Sequence, residues 1–158
     1  MHVIPFISTA IIALSSGVRS AHYFDTFTGR TSSFCGDTTW QNETSSTAAL
    51  ASDCQKIADQ LRQHEKKAFE LYGWKEDSTD EYLGLSTVGS CVFGAKVIHN
   101  NNALPVIANG DIADIIRDAM SHFEVGGRIG ASGSMQCKPD WGDYFSQEIG
   151  WRIYTYPS

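Results

Sequence analysis

Chemistry in a short chain needs a few polar side chains at set distances, and this sequence holds several starts toward such a set. His64-Glu65 opens the zinc-protease pattern, in which two histidines four residues apart hold the metal and the glutamate activates water. The second ligand position is Ala68, so that pattern is incomplete. Gly130-Ala131-Ser132-Gly133-Ser134 approaches the turn that exposes a nucleophilic serine, but Ser134 stands where a second glycine is required. No Gly-Lys-Ser or Gly-Lys-Thr phosphate loop occurs. Glu76, Asp77, Asp80 and Glu81 share one stretch without the alternating ligands and central glycine of a calcium loop, which makes it a solvated loop. His2, His22, His64, His99 and His122 carry no local Ser/His/Asp signature. A hydrolase with a dispersed site would need a pocket that joins a histidine, a carboxylate and a nucleophile. The residues predict no catalytic set, no metal site and no cofactor.

A different chemistry is better represented. Cys35, Cys54, Cys91 and Cys137 form an even set without a C-x-x-C pair, which points to two disulfides rather than a zinc knuckle or a redox site. Three pairings are open. Asn42-Glu43-Thr44 is an acceptor triplet for N-linked sugar, with no proline to block it. Of the four tryptophans, Trp151 fits core spacing, while Trp74 and Trp141 fall in loops and are the candidate partner surface. The glycines at 127, 130 and 133 imply close approach of a neighbouring element over positions without side chains.

Disulfides and sugar both presuppose export. Val3 to Leu14 is an apolar run of signal-peptide length, too short to span a bilayer, and small residues follow it. Cleavage is expected after Ser20 or Ala21, giving a leader over 1–20, an N-terminal segment over 21–34 and a domain over 35–156. Arg19 is the one charged side chain lost, so the mature chain carries 11 basic against 18 acidic residues, a net of −7. That sign argues against a nucleic-acid partner and against adhesion to anionic lipid. A secreted monomer with no membrane span is expected.

Positioning falls to a small set of elements. Ser52 and Gln55 have capping-box spacing, and Cys54, Ile57, Ala58, Leu61, Ala68 and Tyr72 recur at helical intervals. They predict a helix from about Asp53 to Lys67, fraying toward Tyr72. Gly73 to Gly84 reads as a loop. Ser86 to Ile98 reads as a strand with Cys91, Phe93, Ala95 and Val97 on one face, then a turn at His99 to Asn102. Leu104 to Ala108 is a short strand whose Pro105 suits an edge. Asn109-Gly110-Asp111 caps a second helix that turns Ile112, Ile115, Ile116, Ala119 and Phe123 inward and ends at Gly126-Gly127. Arg128 to Cys137 is a strand. In the last one, Gln147 to Tyr156, Ile149, Trp151 and Ile153 oppose Arg152, Tyr154 and Tyr156. The order is a doubled split β-α-β pattern, and it predicts an α+β two-layer sandwich with two helices on one face of an antiparallel sheet.

Six segments occur in one order: Cys35-Gly36-Asp37-Thr38-Thr39-Trp40, Ser52-Asp53-Cys54, Gly89-Ser90-Cys91-Val92-Phe93-Gly94, Asp111-Ile112-Ala113-Asp114-Ile115-Ile116, Gly130 to Cys137, and Trp151-Arg152-Ile153-Tyr154. Together they resemble the necrosis-inducing-factor domain of secreted fungal effectors, the extracellular-protein-two type, from Cys35 to Tyr154. The resemblance implies a small effector linked to plant cell death or host recognition, with the four cysteines as scaffold and no catalytic residue to carry over. The stretch from Lys66 to Tyr82 is longer and more charged than the connector usual in that family. Domains of this type are also similar to killer toxins, which implies antagonism of rival fungi, or action on ion channels, as the alternative. The expected function is a non-enzymatic secreted effector that binds a host or competitor surface component.

Overall fold

The computed structural model describes residues 23–72, 82–99, 104–139 and 146–156. In chain order come strands β1 (Tyr23–Thr28), β2 (Cys35–Thr38), β3 (Gln41–Asn42) and β4 (Ala49–Leu50), then helix α1 (Ala51–Arg62) and β5 (Lys67–Tyr72). Next are β6 (Leu83–Val88), β7 (Cys91–His99), β8 (Val106–Ala108) and helix α2 (Asn109–Phe123). Strands β9 (Arg128–Ile129), β10 (Ala131–Cys137) and β11 (Gln147–Thr155) complete the described elements. The expected leader and the acidic run from Glu76 to Glu81 lie outside the described residues, as do Trp74 and Trp141.

The largest sheet runs β2-β10-β11-β7-β6, with β3 beside β10 and every pair antiparallel. Alternation explains its two faces, because successive side chains of a strand point to opposite sides. Ile149, Trp151 and Ile153 of β11 are buried together with Phe93, Ala95 and Val97 of β7, while Arg152 and Tyr154 face the other way. The helices pack against each other, and Ile57 and Ala58 of α1 join Ile112, Ile116 and Ala119 of α2 in the same core. At its centre the rings of Phe93 and Trp151 stack at 6.3 Å, and the indole N–H donates to Thr38 Oγ1 at 2.6 Å. That bond satisfies a polar group which burial would otherwise leave costly. The α+β, disulfide-linked class expected from the sequence is what the chain forms, with its strands divided among three antiparallel sheets.

Three local expectations change. Helix α1 stops at Arg62, and Lys67 to Tyr72 is strand β5, the middle of a sheet ordered β1-β5-β8. Residues four apart fit a helical face, but Ala68, Phe69 and Leu71 are buried between two partner strands, so tertiary pairing overrides the local period. Ser86 to Ile98 is not one strand. Gly89 has φ 54°, a conformation glycine alone adopts readily, and with Ser90 it makes a two-residue turn between β6 and β7. The expected Ser52–Gln55 capping box does not form. The helix begins at Ala51, and Asp53 turns its carboxylate to the hairpin instead. The glycine expectation holds at Gly130 and Gly133, where a Cβ would meet the carbonyl oxygens of Glu43 and Thr39, and at Gly133 also the Trp151 ring. It fails at Gly127, where a Cβ would meet nothing within 4 Å and the positive φ of 73° is what calls for glycine.

Two disulfides staple these layers. Cys35–Cys137 joins opposed positions of β2 and β10, and Cys54–Cys91 ties α1 to the start of β7. Beside the second bridge, Asp53 Oδ2 accepts the Ser90 N–H at 3.0 Å and the Ser90 hydroxyl at 3.1 Å, and its Oδ1 accepts Lys56 Nζ at 3.0 Å. The Ser90 hydroxyl in turn accepts the Leu50 N–H at 2.9 Å. A separation of 37 residues between Cys54 and Cys91 makes that bridge worth about 4 kcal/mol through loop closure in the unfolded chain. The double variant C54S/C91S should lose about that much in urea unfolding, and an unchanged midpoint would show the staple to be idle.

The Ser90 N–H and the Lys56 ammonium hold the Asp53 carboxyl below its ordinary 3.8. A depressed folded value gives stability that is present above pH 3.8 and lost as pH falls through the lower folded value. Asp53→Asn should therefore lower the melting temperature near neutral pH and match the parent protein in strong acid. Parallel melting curves across that range would refute the assignment.

Candidate functional site

Strand β11 sends Arg152 and Tyr154 outward at alternate positions, and Tyr156 follows at its end. In the register, Gly94 of β7 lies opposite Arg152, and Gly84 of β6 lies opposite Gly94. A row of two side-chain-free positions thus runs beside the tyrosines. A Cβ on Gly94 would stand 2.9 Å from Tyr154 Cε1 and 3.1 Å from Tyr82 Cβ, and one on Gly84 3.7 Å from the Tyr154 hydroxyl. The Tyr154 ring rests on this glycine row. With Tyr82, Thr87, Val92, Arg152 and Tyr156 the result is a groove of about 600 Å³.

The groove wall is polar but internally paired. Arg152 Nε donates to Glu43 Oε2 at 2.7 Å, and the Ser132 hydroxyl donates to Glu43 Oε1 at 2.7 Å. Lys96 Nζ sits 4.9 Å from the centre of the Tyr82 ring, a cation–π distance. Burial pushes the Tyr82 phenol up, Arg152 pulls it back, and Glu43 adds to the rise. A phenol raised above its ordinary 10.0 stays protonated near neutral pH and keeps an O–H to donate.

A second groove of about 480 Å³ lies between the β2 segment and α2, lined by Asp37, Trp40, Asp114, Ile115 and Asp118 with Asp111 at its floor. The Trp40 ring meets Trp151 edge-on at 5.2 Å and lies 6.0 Å from His122 and 6.2 Å from Phe123. Asp111 is 7% exposed and structural: its Oδ2 accepts the N–H of Phe34 at 2.9 Å and of Ala108 at 3.1 Å. Burial pushes its carboxyl up, against the pull of those donors. Asp114 is paired with Arg62.

The four predicted cysteines are brought together as Cys35–Cys137 and Cys54–Cys91. Asn42 is exposed on β3, its Oδ1 accepts the Thr44 N–H at 2.9 Å, and the Thr44 hydroxyl donates to the Phe123 carbonyl at 2.9 Å. His64 lies in the turn after α1, and His122 at the end of α2, where its Nδ1 is 2.7 Å from the Asp118 carbonyl oxygen. The tyrosine groove was not foreseen as a site. The outward set Arg152, Tyr154 and Tyr156 was legible from alternation, but Tyr82 and Gly84 join it only through the hairpin turn at Gly89-Ser90.

Compared with known proteins, residues 34–137 match a family model, Hce2, described as "Pathogen effector; putative necrosis-inducing factor". The chain belongs to the Hce2 family. The match takes in both disulfides, both helices and the glycine row, and it ends before β11, so Arg152, Tyr154 and Tyr156 lie beyond it. Two curated proteins of Penicillium expansum are similar to this Hce2 chain. "Probable chitinase LysM18" is 27% identical over 121 residues, 76% of this chain and 8% of its own length. "Secreted chitinase LysM12" is 30% identical over 129 residues, 80% of this chain and 8% of its own length. The chain thus spans about a twelfth of the curated relatives it matches.

Because the Tyr154 ring is seated on Gly94, Gly94→Ala should displace it. Overpacking of this kind costs about 1–3 kcal/mol, read as a lower melting temperature together with a changed near-ultraviolet tyrosine signal. A variant with the parent's signal and stability would show that the ring does not depend on the glycine.

Proposed function

We propose that this chain is a secreted, non-catalytic effector that acts by contact with a surface component of a plant host or of a competitor, with necrosis or defence as the host's response. The observation that carries this reading is the Hce2 match across residues 34–137, in a family described as pathogen effectors. Export through a leader over residues 1–20 accords with two disulfides and with a relative named as secreted. Sugar at Asn42 accords with its exposure on β3. The curated relatives are named chitinases, which supports cell-wall polysaccharide as the surface component to test first.

The chemistry of the larger groove supports recognition rather than turnover. Its phenol at Tyr82 is held protonated, and its cation at Arg152 is engaged by Glu43. The phenol donates and accepts hydrogen bonds without giving up its proton near neutral pH, and the guanidinium only donates them. A general acid or base would need a value tuned toward that pH.

The test is infiltration of purified, oxidised protein into leaves of varied cultivars, beside the reduced C54S/C91S variant and plates of competing fungi. Necrosis or defence induction with the oxidised protein alone is the expected result. Inhibition of fungal growth without a leaf response would instead favour a killer-toxin-like role. Silence in every cultivar and on every plate would refute action by contact at either surface.

A further inference from the structure

We propose that the tyrosine groove on the outer face of the large sheet is a saccharide subsite for a neutral, β-linked hexopyranose chain. The proposal rests on the contact-effector reading and names the ligand class of the tyrosine groove. A β-linked pyranose presents axial C–H bonds on its faces and hydroxyls around its rim, so it matches a wall that alternates aromatic faces with hydrogen-bonding groups.

This groove is built that way. Tyr82, Tyr154 and Tyr156 each bring a ring and a hydroxyl, and Thr87 adds another hydroxyl. Among the described lining residues the one aliphatic side chain, Val92, is 2% exposed, so a ligand meets rings and polar rims there rather than an apolar floor. A protein partner of ordinary kind would want an apolar centre for an anchor side chain. The volume, about 600 Å³, lies within the ordinary range for small-ligand sites.

Charge selects among ligands. Arg152 is joined to Glu43 at 2.7 Å and Lys96 lies over the Tyr82 ring, so the local cations already have anionic or aromatic partners. A ligand that brought its own charge would have to compete with them, and the chain's formal net charge of −6 opposes an anionic polymer in particular. A neutral sugar competes with neither. The Glu43 pair also holds the Arg152 side chain at the wall, and a guanidinium donates well to hydroxyl or amide oxygens. Preorganisation comes from beneath: Gly94 and Gly84 seat the Tyr154 ring, so little side-chain freedom is lost when a sugar stacks on it.

Titration calorimetry of the full oxidised chain tests this, with a soluble hexamer of β-1,4-linked N-acetylglucosamine, a β-1,3-glucan hexamer and polygalacturonate as separate probes. Binding of one or both neutral hexamers, and weaker or no binding of polygalacturonate, is expected. Tyr156, at 58% exposed, tolerates truncation without loss of fold, so Tyr156→Ala should weaken that binding about tenfold. Arg152→Ala should weaken it as well, and Tyr23→Ala, in the other sheet, should leave it unchanged.

Absence of heat with both neutral hexamers at millimolar concentration would overturn the proposal. So would binding that survives both groove variants, or a preference for polygalacturonate. Leaf necrosis without saccharide binding sinks the subsite and leaves the effector reading standing; saccharide binding without any leaf or fungal response does the reverse.

Discussion

The joint between α1 and the β6–β7 hairpin consists of the Cys54–Cys91 bridge and, one residue before Cys54, the Asp53 carboxylate on the Ser90 N–H and hydroxyl. A covalent link fixes distance but leaves the hairpin free to rotate about it. The carboxylate removes that freedom, because it holds the turn through two donors of one residue. Gly89 supplies the clearance, since a Cβ there would overlap the Asp53 carboxylate. Placement of β6 follows from this joint, and with it placement of Gly84 and Tyr82 beside β11. The outer groove depends on a contact made on the opposite side of the sheet.

The second joint repeats the arrangement with different parts. Cys35–Cys137 links β2 to β10, and Asp111, in the first turn of α2, takes the N–H of Phe34 next to the bridge. In both cases a carboxylate near a helix start captures a backbone donor beside a disulfide. Such a position is favourable for an anion, because the first turn of a helix presents its own uncompensated N–H groups. Asp111 accepts the Ala108 N–H at the same time as that of Phe34. Burial and donation oppose each other at both carboxylates. Burial outweighs the donors at Asp111 and raises its carboxyl, whereas the Ser90 N–H and Lys56 outweigh it at Asp53 and lower that one.

The segments that carry the family resemblance turn out to meet each other in space. Ser52-Asp53-Cys54 meets Gly89-Ser90-Cys91, Cys35 meets Cys137, Thr39 lies on Gly133, and the Trp151 indole donates to Thr38. That is why the class of fold and the role of the cysteines were legible from short motifs, whereas their pairing was not: each motif names one half of a joint. The two faces of β11 were legible because alternation is local. The end of α1 was not, since Ala68 and Tyr72 satisfy the helical period while β1 and β8 claim them for a sheet. The groove escaped for a related reason. Its tyrosines and glycines come from β6, β7 and β11, whose adjacency is set by a two-residue turn hidden inside a β-rich run.

This geometry separates core packing from surface chemistry along a single strand. Ile149, Trp151 and Ile153 are fully buried, and a change at any of them disturbs packing shared by both helices and the large sheet. Arg152, Tyr154 and Tyr156 belong to the same strand, yet they touch the other face, where removal of a ring opens space to water rather than a cavity. Among the described residues their supports include Gly84, Gly94 and a surface ion pair. Substitutions at these outward positions therefore change the chemistry of the outer face with little cost to the fold. The scaffold constrains such changes at one point: a ring at 154 requires glycine at 94, so the contact surface can vary in chemistry only while that row stays bare.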